Sequence, residues 1–101
     1  MDDLDLLLGA LAHPTRRTAL RLLHYREELC LCELISAIGV SQSTMSRHMA
    51  KLKEAGLITD RRDAQWVRYR RNLNLRSTRV AIVDAVMATT SMTVSQMEEV
   101  A

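Results

Sequence analysis

The sequence predicts a mainly α-helical domain with one small β-hairpin, and three observations lead to this fold class. Apolar residues recur at helical spacing through most of the chain. Only residues 57–59 and 66–70 change to short runs rich in β-branched and aromatic residues, as strands do. Hydrophobic residues make up 48% of the chain and aromatic residues only 3%, which suits helices packed on helices. The 101 residues are expected to form one domain, spanning residues 1–101, with a modest core.

The first two helices are marked by the residues at their starts. Asp2, Asp3 and Asp5 precede a leucine-rich stripe, and acidic residues stabilise the first turn of a helix. This predicts a first helix at about residues 3–12, whose apolar face is large enough to meet a partner subunit as well. Pro14 suits the first turn of a second helix, with His13 as a cap or an exposed residue. Three arginines of this second helix are expected to face solvent or phosphate: Arg16, Arg17 and Arg21.

Two helices joined by a tight turn are predicted between residues 31 and 55. The apolar positions are Leu31, Leu34, Ile35 and Ile38 in the first of them, and Met45, Met49 and Leu52 in the second. Gly39 ends the first helix, and Ser41 is a good N-cap for the second because its hydroxyl can accept a bond from an unpaired amide. This arrangement is a helix-turn-helix.

The rest of this second helix indicates DNA contact. Hydrogen-bonding and cationic side chains lie near its N-terminus or at the edge of its apolar stripe: Gln42, Ser43, Thr44, Ser46, Arg47, His48 and Lys51. Such groups meet base edges and phosphates when a recognition helix enters the major groove. An ordinary solvated helix face would usually alternate Glu and Lys instead.

The two predicted strands are joined by a polar connection over residues 61–65. Alternation along the second strand places Val67 and Tyr69 on one face, and Trp66, Arg68 and Arg70 on the other. We therefore expect the first pair to pack inward while the arginines project.

Positive charge is concentrated in residues 41–72, which include the predicted recognition helix and hairpin. Residues 41–72 contain eight Arg or Lys against three Asp or Glu, whereas the remainder contains six against nine. Clustered positive charge is typical of a protein that binds a polyphosphate, with an affinity that depends on salt.

These motifs together resemble a known family. The run SQSTMSRHMAKLKEAGLI, followed by WVRYR, resembles the winged-helix repressors of the ArsR/SmtB family, and ELCLCEL resembles their arsenic-sensing branch. The resemblance extends from about Leu6 to the last helix. It implies a winged helix-turn-helix with element order α-α-α-α-β-β-α, in which the hairpin is a wing that reaches DNA. The wing residues implied to contact DNA are Arg62 and Gln65, followed by Arg61 and Arg68.

The resemblance also implies an assembly. The last helix is expected from Leu75 to about Glu98, on the apolar stripe of Val80, Val83 and Val86. In the family this helix (about 75–98) and the first (about 3–12) form the interface of a homodimer. Such a dimer binds an inverted-repeat operator in double-stranded DNA.

The two cysteines of the chain are Cys30 and Cys32. In a cytosolic protein this pair is not expected to be a structural disulfide, and metal or redox chemistry is favoured. Residues i and i+2 point apart in both helices and strands, so one ion can bind both sulfurs only if the backbone is irregular or becomes so. If this turn is helical without ligand, binding is expected to unwind it and shift the recognition helix.

The resemblance implies As(III) or Sb(III) as the effector at Cys30 and Cys32, with no resident cofactor. Arsenic-sensing relatives have a third cysteine where this chain has Ile35. Hydroxide, a small thiol such as glutathione, or another group is then needed to complete the coordination.

The function that follows is an arsenic-responsive transcriptional repressor, released from its operator by metalloid. The alternatives are a repressor of the same fold that senses thiol oxidation or another thiophilic ion, and a ligand-blind winged-helix interaction module. An enzyme is not expected, because no nucleophile and base, glycine-rich phosphate loop or carboxylate pair stands out. A cytoplasmic location is expected, since no apolar run is long enough for a membrane span and the N-terminus is acidic, unlike a secretory signal.

Overall fold

The computed structural model describes residues 3–101, so Asp2, one of the acids expected at the start of the first helix, lies outside the described residues. In chain order the elements within this range are α1 (Asp3–Leu11), α2 (Pro14–Tyr25), β1 (Glu28–Cys30), α3 (Leu31–Ile38), α4 (Gln42–Glu54), β2 (Ile58–Asp63), β3 (Trp66–Arg71), α5 (Ser77–Ala88) and α6 (Val94–Val100). The predicted fold class, mainly helical with a small antiparallel sheet, is confirmed. No helix in this range is long and apolar enough to cross a bilayer.

The core lies where helices α2, α3 and α4 meet. Leu22, Leu34 and Met49 are each 0% exposed, as are the two other predicted stripe residues of α4, Met45 and Leu52. The helical repeat places these side chains on one face of each helix, and their burial is the main source of stability in a domain of this size. Helix α4 therefore has one face held in the core and the opposite face in solvent.

The predicted helix ends are confirmed. The Nδ1 atom of His13 accepts from the Thr15 amide at 3.1 Å, so His13 caps α2. The Oγ atom of Ser41 accepts from the Thr44 amide at 3.3 Å and caps α4. Gly39 ends α3 with a φ of 84°, a left-handed conformation that glycine adopts without strain.

The arginines of α2 differ from the expectation that they face only solvent or phosphate. Arg16 donates to the carbonyl oxygen of Ala10 at 2.8 Å, and Arg17 to that of Leu11 at 2.8 Å. The last carbonyl oxygens of a helix have no hydrogen-bond donor within the helix. The guanidinium groups of Arg16 and Arg17 are the donors at the end of α1.

The hairpin is confirmed and is joined by a third strand. Asp63 pairs with Trp66, so the turn is only Ala64 and Gln65, and Arg61 to Asp63 belong to β2 rather than to the connection. Tyr69 is 6% exposed and Trp66 44%, in agreement with the predicted faces of β3. Strand β1 pairs antiparallel with β3 and gives the order β1-β3-β2. Its three residues are too few for the alternating pattern to reveal a strand.

The prediction of one long helix from 75 to 98 was wrong. Helix α5 ends at Ala88, and α6 begins at Val94 and packs against α3 and α2. The hydroxyls of Thr89 and Thr90 each donate to the Val86 carbonyl at 2.8 Å. Serine and threonine compete with helical backbone bonding in this way, which accounts for the interruption. Val100 of α6 is 1% exposed, so this segment completes the core of its own domain.

Candidate functional site

The predicted DNA-contacting residues of α4 fall into two groups in the structure. Five of them are exposed on the face opposite the core: Gln42, Ser43, Ser46, Arg47 and Lys51. Burial of Met45 and Met49 holds the helix in this orientation. The first turns of α4 therefore offer amide, hydroxyl and guanidinium groups to a ligand in solvent.

Thr44 and His48 are the exceptions, since both are only half-exposed. The Thr44 hydroxyl accepts from the Ser41 hydroxyl at 2.9 Å as part of the helix cap. The His48 ring packs on the His13 ring with centroids 4.4 Å apart, and its Nδ1 atom lies 3.1 Å from an Arg16 nitrogen. Burial lowers the pKa of His48, and the nearby positive charges lower this pKa further. These two side chains are engaged within the domain.

Most arginines of the wing, which we define as β2, its turn and β3, are paired with carboxylates. Arg61 binds Glu28 through two hydrogen bonds of 3.1 and 2.8 Å, which lower the pKa of Glu28 and raise that of Arg61. Arg68 donates to Asp63 at 3.0 Å, and Arg70 to Glu27 at 3.1 Å. Exposed pairs of this kind contribute little stability, but they partly neutralise the arginines.

Arg62 differs from its neighbours. Between residues 3 and 101, ion pairs are recorded for Arg61, Arg68 and Arg70 but none for Arg62. Arg62 and Gln65 are both exposed at the tip of the wing. Of the predicted wing contacts, these two have the side chains most available to DNA.

A groove of about 370 Å³ separates the wing from α3 and α4 and brings the predicted sites together. Its lining includes Gln42, Ser46, Arg62, Gln65, Cys32 and Ile35. Recognition-helix residues, wing residues and one of the two cysteines thus share one surface.

The cysteines lie at the junction of β1 and α3 and are joined in a disulfide, contrary to the expectation of free thiols. Cys30 is the extended N-cap of α3, and Cys32 lies in its first turn. Their Cα atoms are 5.4 Å apart, which is ordinary for a disulfide. The geometric expectation was that both sulfurs meet only where the backbone is irregular or becomes so. The junction of β1 and α3 is such an irregular backbone, so the sulfurs meet without unwinding α3.

The junction is connected to its surroundings on two sides. Cys30 is paired with Arg68 in the register of β1 and β3. Its amide donates to the Glu33 carboxylate at 2.9 Å, in the first turn of α3. Cys30 is buried, at 6% exposure, whereas Cys32 is exposed. A ligand would therefore reach the pair from the Cys32 side, where the groove lies.

As a ligand set, the pair supplies two sulfur donors, and only when it is reduced. Within residues 3–101 no group of three or more His, Cys, Asp or Glu is placed to hold a metal ion. Ile35, at the position of the third cysteine in arsenic-sensing relatives, lines the groove beside Cys32. The arrangement fits a thiophilic centre that takes its remaining ligand from solution.

Three residues of this region were missed from the sequence. Glu27 and Glu28 pair with wing arginines more than thirty positions away, and no local pattern signals such a contact. The position of Trp66 in β3 was predicted correctly, but its place in the lining of the groove was not. An exposed tryptophan next to predicted DNA contacts was the signal available for it.

Comparisons of the sequence match this chain to bacterial regulatory proteins. The family model described as bacterial regulatory protein, arsR family, matches residues 13–60. The arsenic resistance transcriptional regulator ArsR1 of Pseudomonas putida is 46% identical over 65 residues, which cover 64% of this chain and 51% of that protein. The arsenical resistance operon repressor of Escherichia coli is 40% identical over 78 residues, 77% of this chain and 67% of that one. The chain thus spans about half to two thirds of these relatives.

Comparison with solved structures finds the same fold in another protein. HlyU from Vibrio cholerae superposes with a TM-score of 0.72 at 31% identity, covering 86% of this chain and 90% of that one. A second structure of that protein is described as reduced HlyU. By their descriptions, the Pseudomonas putida relative is a transcriptional regulator of arsenic resistance and the Escherichia coli relative is a repressor of an arsenical resistance operon.

Proposed function

This chain belongs to the arsR family of bacterial regulatory proteins, and on that basis we propose that it is an arsenic-responsive transcriptional repressor. Its apo homodimer binds an inverted-repeat operator, and As(III) or Sb(III) at Cys30 and Cys32 causes release. The observation that carries the proposal is the groove, because it places Cys32 beside Gln42, Ser46 and Arg62.

Operator binding is assigned to α4 and the wing. The exposed N-terminal half of α4 has the side chains that read base edges, and Arg62 has the free charge that a phosphate attracts. The predicted contacts that the structure leaves available are Gln42, Ser43, Ser46, Arg47, Lys51, Arg62 and Gln65. Three further predicted contacts, Thr44, His48 and Arg68, are engaged within the domain. A chromosomal operator would be met in the cytoplasm.

The homodimer is supported by apolar surface on α1 and α5. Leu4 and Leu8 of α1 are 42% and 48% exposed, and Val80 of α5 is 39% exposed. Large exposed apolar side chains of this kind are typical of subunit interfaces. Two-fold symmetry would present two copies of α4, one for each half of an inverted repeat.

Effector binding starts from the reduced pair. Two molecules of a small thiol reduce the disulfide to two cysteine thiols and leave as their own disulfide. Arsenous acid then condenses with both thiols, so two As–S bonds replace two As–O bonds and two waters leave. The third coordination position of the arsenic keeps hydroxide or exchanges it for a small thiol, which the groove has room to admit.

Release does not require α3 to unwind. A ligand at the pair lies at the end of β1, which is hydrogen-bonded to the wing through β3. It also lies at the edge of the groove shared by α4 and Arg62. Occupation of this site changes the spacing of wing and recognition helix, on which operator fit depends.

The experiment is a titration of pre-reduced protein with arsenite, monitored by fluorescence anisotropy of bound DNA and by sulfur-to-arsenic absorption. The DNA is a duplex selected by the protein from a random pool. We expect arsenite to weaken DNA binding at least about tenfold, the equivalent of 1.4 kcal/mol. Cys30→Ser and Cys32→Ser should bind DNA normally and resist arsenite. Ser36→Ala, an exposed change on the same helix, should respond like the unmodified protein.

A variant lacking either cysteine that still dissociates normally would remove the arsenic proposal and leave DNA binding intact. Failure of the protein to select any duplex, with or without reductant, would remove both.

A thiol redox switch is the second candidate, and the disulfide between Cys30 and Cys32 is the observation that favours it. A peroxide would oxidise the two thiols to the disulfide and be reduced to two waters. If peroxide alone changes operator affinity and arsenite does not, this candidate replaces the first. If neither has an effect, a ligand-blind module remains.

A further inference from the structure

Arg16 occupies a position between three elements. Its Nε donates to the Ala10 carbonyl at 2.8 Å and its Nη2 to the Gly9 carbonyl at 3.1 Å, both in the last turn of α1. Its Nη1 lies 3.1 Å from Nδ1 of His48, in the middle of α4. One side chain of α2 thus links the end of α1 to the recognition helix.

The chemistry of the two groups fixes the protonation state of this link. A guanidinium can only donate hydrogen bonds, so Nδ1 of His48 must be the acceptor and must carry no proton. His48 is then neutral, with its proton on Nε2. The adjacent His13 is constrained in the same way, because its Nδ1 accepts from the Thr15 amide.

The surroundings of His48 oppose its protonation. The groups that face it are His13, the N-cap of α2, Arg16 of α2, and Arg47 of its own helix. Positive charge on each of these three groups lowers the pKa of His48. Burial is the larger cause of the lowered pKa of His48, and these charges add to it.

We propose that Arg16 is a positioning residue for DNA binding, which holds the recognition helix to the end of α1 only while His48 is neutral. The inference rests on the proposed role of α4 in operator binding. A proton on Nδ1 removes the acceptor and places two cations in contact, so the link opens. Helix α4 stays folded because Met45, Met49 and Leu52 remain buried, but its position on the domain is no longer fixed at His48.

This inference differs from direct DNA contact by His48. A histidine that touched phosphate would bind more tightly once protonated, because it would gain a charge-assisted bond. A histidine that positions the helix would lose affinity for the operator on protonation. Affinity for unrelated DNA, which depends on total positive charge, would not fall.

The experiment measures DNA affinity between pH 5.5 and 8 at constant salt. The probes are the duplex selected at pH 7.5 and a scrambled duplex of the same length. We expect the affinity of the unmodified protein for the selected duplex to fall about tenfold from pH 7.5 to 5.5. A tenfold change corresponds to a difference of about one unit in the pKa of His48 between the free and the DNA-bound protein. Affinity for the scrambled duplex should stay level or rise.

Three variants separate positioning from other effects. Arg16→Gln should bind the selected duplex weakly at pH 7.5 and show little further change on acidification. His48→Gln keeps an acceptor but does not titrate, so it should bind with a flat pH profile in this window. Arg17→Gln is the matched control, since Arg17 caps α1 at Leu11 without touching His48, and it should behave like the unmodified protein.

An NMR titration of the His48 ring tests the link without DNA. Loss of the Arg16 charge should raise the pKa of His48 in Arg16→Gln and leave it unchanged in Arg17→Gln, with circular dichroism confirming that both variants are folded. The proposal is overturned if Arg16→Gln matches Arg17→Gln in both measurements, or if acid strengthens binding to the selected duplex. If no duplex is selected at any pH, the proposed function fails, and the titration still decides whether the link exists.

Discussion

Arg61 and Arg62 are neighbours in β2 with the same type of side chain, but they make different contacts. Successive residues of a strand point to opposite faces of the sheet. Arg61 therefore meets Glu28 of β1 on the far side of β3, while Arg62 lines the groove with Gln42 of α4. Three wing arginines are thus offset by carboxylates, whereas no ion pair of the described residues offsets Arg62, the proposed phosphate contact.

We predict that Arg62→Ala weakens DNA binding more than Arg61→Ala does. Loss of one phosphate contact should lower affinity for specific and scrambled duplexes about equally and reduce the salt dependence of log K by about 1. Arg61→Ala should change the slope less, because Glu28 already holds that charge. Binding isotherms between 50 and 200 mM salt, a range over which such slopes are well resolved, measure both. An equal or larger slope change for Arg61→Ala would contradict the assignment.

Helix α3 connects the cysteine junction to α4, the proposed recognition helix. It begins at the cysteine junction, contacts α6, and ends at Ile38, where Gly39 forms the cap before α4 starts at Gln42. Gly39 has a φ of 84°, and a Cβ added there would meet no atom within 4 Å. The constraint at this turn is therefore the backbone conformation itself and not the available space.

We predict that Gly39→Ala destabilises the fold by about 1–2 kcal/mol, the cost of a left-handed conformation for a residue with a Cβ. The matched control is Gly9→Ala in α1, where there is also open space and no positive φ. That change should be neutral or stabilising by about 0.5–1 kcal/mol, because alanine is the better helix former. Urea unfolding at fixed protein concentration compares the two. Similar stabilities for both variants would show that the turn tolerates a side chain.

Among the described residues, two histidines have shifted pKa values that affect folding between pH 5.5 and 7.5. Burial lowers the pKa of His24 and of His48 below the ordinary value of 6.5. His24 lies in α2, where its Nδ1 is 2.8 Å from the Leu20 carbonyl, and His48 lies in α4. In the unfolded chain both rings would take up protons near pH 6.5, before they do so in the folded chain.

We predict that the free energy of unfolding falls as the pH drops from 7.5 to 5.5. Below about 6.5 the unfolded state binds more protons than the folded state, and stability then decreases as pH decreases. The dependence should be weaker in the double variant His24→Gln, His48→Gln, whatever its stability at pH 7.5. Urea midpoints at several pH values measure it. A midpoint that is constant or higher at pH 5.5 would contradict the prediction.

Much of this structure followed from local patterns in the chain. Helical spacing predicted α1 to α4, Pro14 and Ser41 predicted where two of them begin, and Gly39 predicted where α3 ends. Alternation predicted which face of β3 buries Tyr69. These features depend on residues within about one turn of each other, so a linear sequence displays them directly.

Contacts between distant segments were beyond such reasoning. The pairing of Arg61 with Glu28, the return of α6 onto α3 and the link from Arg16 to His48 join positions that come together only in the folded chain. The cysteine pair belongs here too, because β1 forms only when β3 is available as a partner, and its end creates the junction where the sulfurs meet. Short-range spacing settles which elements form, whereas long-range packing settles which side chains remain free to bind a ligand.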